Sequence, residues 1–193
     1  METINILIVG VGGQGSLLAS RVVGAYYTAR GYDVKVSEVH GMSQRGGSVV
    51  TYVRAGATVA QPVVPDGQAD FVIAFEGLEA LRWANQLRPT GKLIYSDARI
   101  NPLPVNTGAM PYPEDIAGQF RAAGIDAKVI DAQSLAEQAG NIKASNVVIL
   151  GAASVLLGGD EADWDAALRE AIPAKIIDVN LTAFTLGRKA MGM

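Results

Sequence analysis

The stretch Ile4-Asn5-Ile6-Leu7-Ile8-Val9-Gly10-Val11-Gly12-Gly13-Gln14-Gly15 carries the decision about the fold. From Ile4 to Val9 the residues are almost continuously apolar, as expected of a strand covered on both faces within a parallel sheet. Glycines end the run, and Leu18, Val22, Ala25 and Ala29 then recur at helical spacing until Gly31 supplies a stop. Strand, tight glycine turn and helix in that order open an α/β fold. The spacing G-x-G-x-x-G from Gly10 to Gly15 lets a backbone approach a phosphate, and the following helix N-terminus offers free N–H groups. The same glycines would also serve a tight turn and close helix packing alone, so the motif by itself leaves ligand binding open.

Outward from this unit the alternation continues. Val34 to Val39 reads as a second strand and Ser48 to Arg54 as a third, rich in β-branched residues. The loop His40 to Gly47 stands where a crossover helix would, so these two strands can pair antiparallel. Phe71 to Phe75 and Lys92 to Tyr95 are further strands, separated by a helix through Leu78, Leu81, Trp83 and Leu87 that stops near Pro89. Ile100 to Pro113 contains Pro102, Pro104, Pro111 and Pro113 and is expected to be extended or looped, with a short strand around Val105. Beyond it come a helix at Glu114 to Ala123, a strand at Ala127 to Ile130, a short helix at Ser134 to Ala139 and an apolar helix at 144 to 157. An amphipathic helix through Trp164, Ala167, Leu168 and Ala171 ends at Pro173, and a last helix covers Val179 to Lys189. The expectation is a single domain over residues 1–193 with a Rossmann-like, mostly parallel sheet flanked by helices and a glycine-rich loop after strand one. No repeat, low-complexity run or linker divides it.

Composition narrows the chemistry. The 193 residues are 49% hydrophobic and 18% charged, with a net charge of −3. This gives no bulk attraction to nucleic acid or an anionic membrane, and a subunit interface would absorb the apolar excess. Cysteine is absent, which removes disulfides, a thiol nucleophile and the thiolate ligands of iron–sulfur clusters. His40 is the single histidine, too little for an ordinary zinc site, although carboxylate sites stay possible. Met1-Glu2-Thr3 leads directly into a strand-like run without the regions of a secretory signal, so the chain is expected in the cytoplasm. The apolar stretch Val147 to Leu157 is interrupted by Gly151 and falls short of the ~20 residues that span a bilayer.

Two candidate loops carry function. If the first bound a nicotinamide or flavin dinucleotide, an acidic residue should close strand two to meet the ribose. Glu38 stands 23 positions after Gly15, near the ~20 expected. Against that reading, the helix normally following is replaced by His40-Gly41-Met42-Ser43-Gln44-Arg45-Gly46-Gly47. This second loop concentrates an imidazole, a hydroxyl, an amide, a guanidinium and glycines. That suits recognition of an anionic or carbonyl-bearing group through backbone nests and the Arg45 charge. Equally, Arg45 could pair with a partner carboxylate, His40 could be structural, and Gly46-Gly47 could only shape the turn.

The glycine loop Gly10 to Gly15, followed by Glu38-Val39-His40-Gly41-Met42-Ser43-Gln44-Arg45-Gly46-Gly47-Ser48-Val49, resembles the paired signature of the gamma-type chain of 2-oxoacid:ferredoxin oxidoreductases. In two-subunit indolepyruvate oxidoreductases this is the beta chain. Asp70 to Glu76, Gly140 to Asn146 and Asn180 to Phe184 also look familial, so the resemblance spans nearly the whole chain and is weakest from Asp97 to Phe120. It implies oxidative decarboxylation of a 2-oxoacid: thiamine diphosphate adds to the keto carbon, carbon dioxide leaves, and electrons pass singly through iron–sulfur clusters to ferredoxin. Coenzyme A takes the acyl group. The cofactor does the difficult chemistry. The resemblance places thiamine diphosphate and the clusters in a partner subunit and none in this chain, in agreement with the missing cysteines. Gly12, Gly13, Gln14, His40, Ser43, Gln44, Arg45 and Gly46 are the candidate ligand-binding residues, on one surface formed by both loops. Their expected task is to hold part of coenzyme A or substrate, or to close the partner's thiamine site. A free-standing NAD(P)- or flavin-dependent reductase and a non-catalytic assembly subunit are the competing classes.

Overall fold

The computed structural model describes residues 2–40 and 46–192. Six strands form one sheet in the order β2-β3-β1-β4-β5-β6. They are β1 (Ile4–Val11), β2 (Asp33–His40), β3 (Ser48–Gly56), β4 (Ala69–Ala74), β5 (Leu87–Ser96) and β6 (Ala127–Ile130). Parallel pairing joins β1 to β4, β4 to β5 and β5 to β6, while β3 runs antiparallel to both β1 and β2. The antiparallel pairing that the second loop allows is present, and it inserts β3 between the first two strands. Every strand except β3 therefore points its carboxyl end to one edge.

Alternation along the strands sorts the core into two layers. Ile6, Ile8, Val53, Ile73 and Ile94 face one way, against α1 (Ser16–Ala29), α5 (Ala132–Gln138), α6 (Ser145–Leu157), α7 (Glu161–Ala171) and α8 (Ile177–Ala190). Leu7, Val9, Val50, Val72 and Leu93 face the other way, against α2 (Gly77–Trp83) and α4 (Ile116–Ala122). The helix α6 is apolar all round because it lies inside the first layer, buried without interruption from Asn146 to Ser154. Tyr26 of α1 stacks on Trp164 of α7 at 3.8 Å between centroids. Both donate to the Gly158 carbonyl at 3.0 Å. This fixes the helix that begins in the glycine loop. Among the described residues no helix is long and apolar enough to cross a membrane.

Two local expectations are corrected. Leu87 does not continue the helix; α2 ends at Trp83, a single 3-10 turn covers Ala84–Gln86, and β5 starts at Leu87. Pro89 disfavours helical backbone at Arg88, so the chain turns extended two residues before the proline. The strand expected at Val105 is instead a short helix, α3 (Leu103–Asn106), in which Val105 and Asn106 donate their N–H groups to the Pro102 carbonyl at 3.0 Å. Proline at the first positions of a helix gives up no needed donor, so this proline-rich segment could close a turn.

Candidate functional site

The glycine loop and the end of the second loop meet at the carboxyl edge. Val11 still pairs with Ser48, and just beyond them Gly12 N–H donates to the Gly47 carbonyl at 2.8 Å while Gly46 N–H reaches the Gly12 carbonyl at 3.5 Å. Gly13 and Gly15 sit at φ +102° and +87°, the left-handed region that favours glycine. Gly15 has a second constraint, since a methyl group there would collide with the Asn146 side-chain amide. As N-cap of α1 it brings no side chain over the first turn.

Gln14 plugs the crevice between β1 and β4. Its Oε1 accepts from Val11 N–H at 2.7 Å and its Nε2 donates to the Phe75 carbonyl at 2.8 Å. Here the chain leaves β1 towards one face of the sheet and β4 towards the other, the switch point at which doubly wound sheets hold their ligands. With Gln14, Phe75, Ser96, Gln133, Ser145 and Asn146 packed around it, the remaining hollow measures about 20 Å³, room for a water molecule. A nicotinamide or flavin ring has no room in that hollow. Titration of the purified chain with NAD(H), NADP(H) or flavin dinucleotide, followed by fluorescence or calorimetry, is expected to show no site of micromolar or tighter affinity. Such a site would revive the reductase class.

The open space lies on the α1 side of the loop. A cavity of about 390 Å³ is lined by Gly12, Gly13, Gly15, Ser16, Leu17, Glu38, His40 and Val49. Glu38 Oε2 accepts from Ser16 Oγ at 2.9 Å and from Thr51 Oγ1 at 3.0 Å, which holds its carboxylate beside the first turn of α1. That helix end favours negative charge, and the protein's own Glu38 already supplies it. An anionic ligand entering here needs a compensating cation. The expected cation, Arg45, lies outside the described residues, as do Ser43 and Gln44. Gly12, Gly13, Gly46 and His40 are brought together, with exposed His40 closing β2 opposite Val49. Gln14 faces the plugged crevice. Among the described residues no group of three or more histidine, aspartate or glutamate side chains could hold a metal ion.

Sequence reasoning passed over Ser16, Thr51 and a second cluster on the opposite face. Glu76 and Glu79 lie at the start of α2, 1% and 4% exposed. Burial pushes the Glu79 carboxyl above its ordinary range and the Glu76 charge adds to this, while the hydrogen bond from Ser48 and the Arg82 charge oppose it. The spacing Glu76-x-x-Glu79 ahead of Ala80 and Leu81 is the available signal, because a side chain that caps a helix accepts from the N–H three residues on.

Residues 5–190 match the family model described as pyruvate ferredoxin/flavodoxin oxidoreductase. The chain belongs to this oxidoreductase family. Within it, the chain is 44% identical to the indolepyruvate oxidoreductase subunit IorB of Thermococcus kodakarensis, covering 98% of this chain and 96% of the relative. Identity to the subunit of the same name from Archaeoglobus fulgidus is 39%, over 95% and 93% of the two chains. The fold agrees with the crystal structure of a keto/oxoacid ferredoxin oxidoreductase gamma subunit from Geobacter sulfurreducens, at a TM-score of 0.72 and 20% identity, with 97% and 98% of the chains covered. It also agrees with a 2-oxoglutarate:ferredoxin oxidoreductase from Magnetococcus marinus, solved with 2-oxoglutarate, coenzyme A and succinyl-CoA bound. There the TM-score is 0.75 at 20% identity, and all of this chain matches 31% of that one. The paired glycine signature and the family membership thus agree.

Proposed function

We propose that the chain is the cluster-free subunit of a 2-oxoacid:ferredoxin oxidoreductase, and that its two glycine loops hold a phosphate or carbonyl group of coenzyme A or substrate at the partner's active site. The observation that carries this is the junction of the loops: Gly12 N–H on the Gly47 carbonyl beside an open cavity, with the switch-point crevice closed. A ligand meeting this edge contacts both loops at once. The sequence holds no cysteine to bind a cluster, so electron transfer belongs to a partner. The cavity's polar groups, Ser16, Glu38 and His40, are suited to orienting a ligand rather than to carrying electrons. Thiamine diphosphate on the partner supplies the carbon–carbon bond chemistry; this chain supplies positioning and charge. The relatives named as indolepyruvate oxidoreductase subunits support indolepyruvate as the 2-oxoacid.

Arg45→Ala in the assembled enzyme tests the reading. Loss of a charge-assisted hydrogen bond costs roughly 1.5 to 3 kcal/mol, so turnover should fall about ten- to over a hundredfold if the contact is felt in the transition state. Co-elution of the subunits on a sizing column should be unchanged. Unaltered steady-state kinetics in an intact complex would remove Arg45 from the site, and loss of assembly would favour the non-catalytic module.

A further inference from the structure

Two buried carboxylates on the face opposite the cavity have no part in the function proposed above. Burying Glu76 and Glu79 side by side is unfavourable unless donors surround each one. The donors come from two different segments of the carboxyl edge. Ser48 donates its hydroxyl to Glu79 Oε2, and Arg82 Nε stands 3.3 Å from Oε1. Glu76 Oε2 accepts from Glu79 N–H at 2.9 Å, capping α2. Its Oε1 accepts from Ile100 N–H at 3.1 Å and from the Tyr112 hydroxyl. That hydroxyl oxygen in turn accepts from Leu78 N–H at 3.1 Å, and the Arg99 guanidinium stands 4.3 Å over the Tyr112 ring.

Ser48 connects this cluster to the glycine loops. It is the first residue of β3 and directly follows Gly47, whose carbonyl receives the Gly12 N–H. Successive strand side chains point to opposite faces, so Val49 lines the cavity while Ser48 reaches Glu79 behind the sheet. We infer that Glu79 is a positioning residue that holds the root of the second glycine loop through Ser48, and that Glu76 anchors the 100–112 segment to the same helix start. The inference rests on the glycine loops being the ligand site. Through this pair, the root of the second loop and the 100–112 segment are tied to one buried helix N-terminus. The backbone groups of Gly46 and Gly47 are therefore held against Gly12 before any ligand arrives.

The test uses Ser48→Ala, Glu79→Leu and Glu79→Gln, the last of which keeps an oxygen that can accept from Ser48. In the full chain, amide exchange at Gly12 measured by NMR should accelerate about ten- to a hundredfold in Ser48→Ala and Glu79→Leu, the range expected for one lost hydrogen bond to a charged group. Exchange at Val148 in α6 should be unchanged, and Glu79→Gln should restore most of the protection at Gly12. In the assembled enzyme, Ser48→Ala should raise the KM for coenzyme A about tenfold with kcat within about twofold, the pattern of a lost binding contribution. Unchanged Gly12 exchange in Ser48→Ala overturns the clamp. Faster exchange at Gly12 and Val148 alike also overturns it, by reducing the pair to general stability. Faster exchange at Gly12 alone, with an unchanged KM and kcat, leaves the clamp standing and instead refutes the glycine loops as the ligand site.

Discussion

Gly187→Val is expected to lower the melting temperature by roughly 6–12 °C, the shift that a loss of ~3 kcal/mol gives in a domain of this size. Gly187 lies on α8 where that helix crosses α6, and a side chain there would be driven into the Val148 carbonyl and the Ala152 N–H. Gly151 on α6 faces the Phe184 carbonyl in the same way. Backbone atoms cannot rotate aside as a long side chain can, so the helices must separate. Both belong to the layer that packs on Ile6, Ile8 and Ile73, and separation opens the core beneath the glycine loop. Gly24→Ala is the control with the opposite sign. Gly24 sits within α1, and an added methyl would meet nothing closer than Val34 Cγ1 at 3.9 Å. There the gain in helix propensity, up to ~1 kcal/mol, should raise the melting temperature. Thermal unfolding followed by circular dichroism measures both. Equal shifts for the two variants would contradict the packing account.

The legible and illegible parts of the chain divide along physical lines. Ile4 to Val9 was readable because a strand buried on both faces needs an almost continuous apolar run, and positive φ accounts for Gly13 and Gly15 after it. The absence of a helix between Val39 and Ser48 left antiparallel pairing of β2 and β3 open, and that pairing is present. Leu87 was misread because periodicity cannot see that Arg88, before a proline, must leave helical backbone. At Val105 the prolines were taken as extended, whereas Pro102 and Pro104 occupy the opening positions of α3, where a missing N–H is harmless. At the candidate site, the meeting of the two loops was legible because β1 and β2 end at one edge, and Gly12 touches Gly46 and Gly47 there. The Gln14 amide is used instead to bridge β1 and β4. Sequence shows which groups an amide could meet, and only the register of β1 on β4 shows which ones it does. Glu76 and Glu79 escaped notice because carboxylates are ordinarily surface residues. Their burial depends on donors from Ser48, Ile100 and Tyr112, distant in sequence.

Dependence on a partner is the central claim, and it carries the largest expected change in activity. The chain has no cysteine and a single histidine, and among its described residues no cluster could hold a metal. Its cavity is built from glycine backbone, a serine, a glutamate and a histidine around an open edge. Such an edge can position a ligand, but it supplies neither an electron carrier nor the means to break a carbon–carbon bond. On the proposed reading a second subunit docked against it supplies that chemistry, through an interface of more than ~1,000 Å² if the association is stable. The direct measurement is reduction of an artificial electron acceptor by the separated and the recombined subunits, with indolepyruvate, thiamine diphosphate and coenzyme A present and co-elution on a sizing column as the assembly control. The account predicts no turnover by this chain alone and full turnover on recombination with its thiamine- and cluster-bearing partner. Turnover by this chain alone would contradict the account, and turnover by the partner alone at the recombined rate would reduce the chain to a passive module.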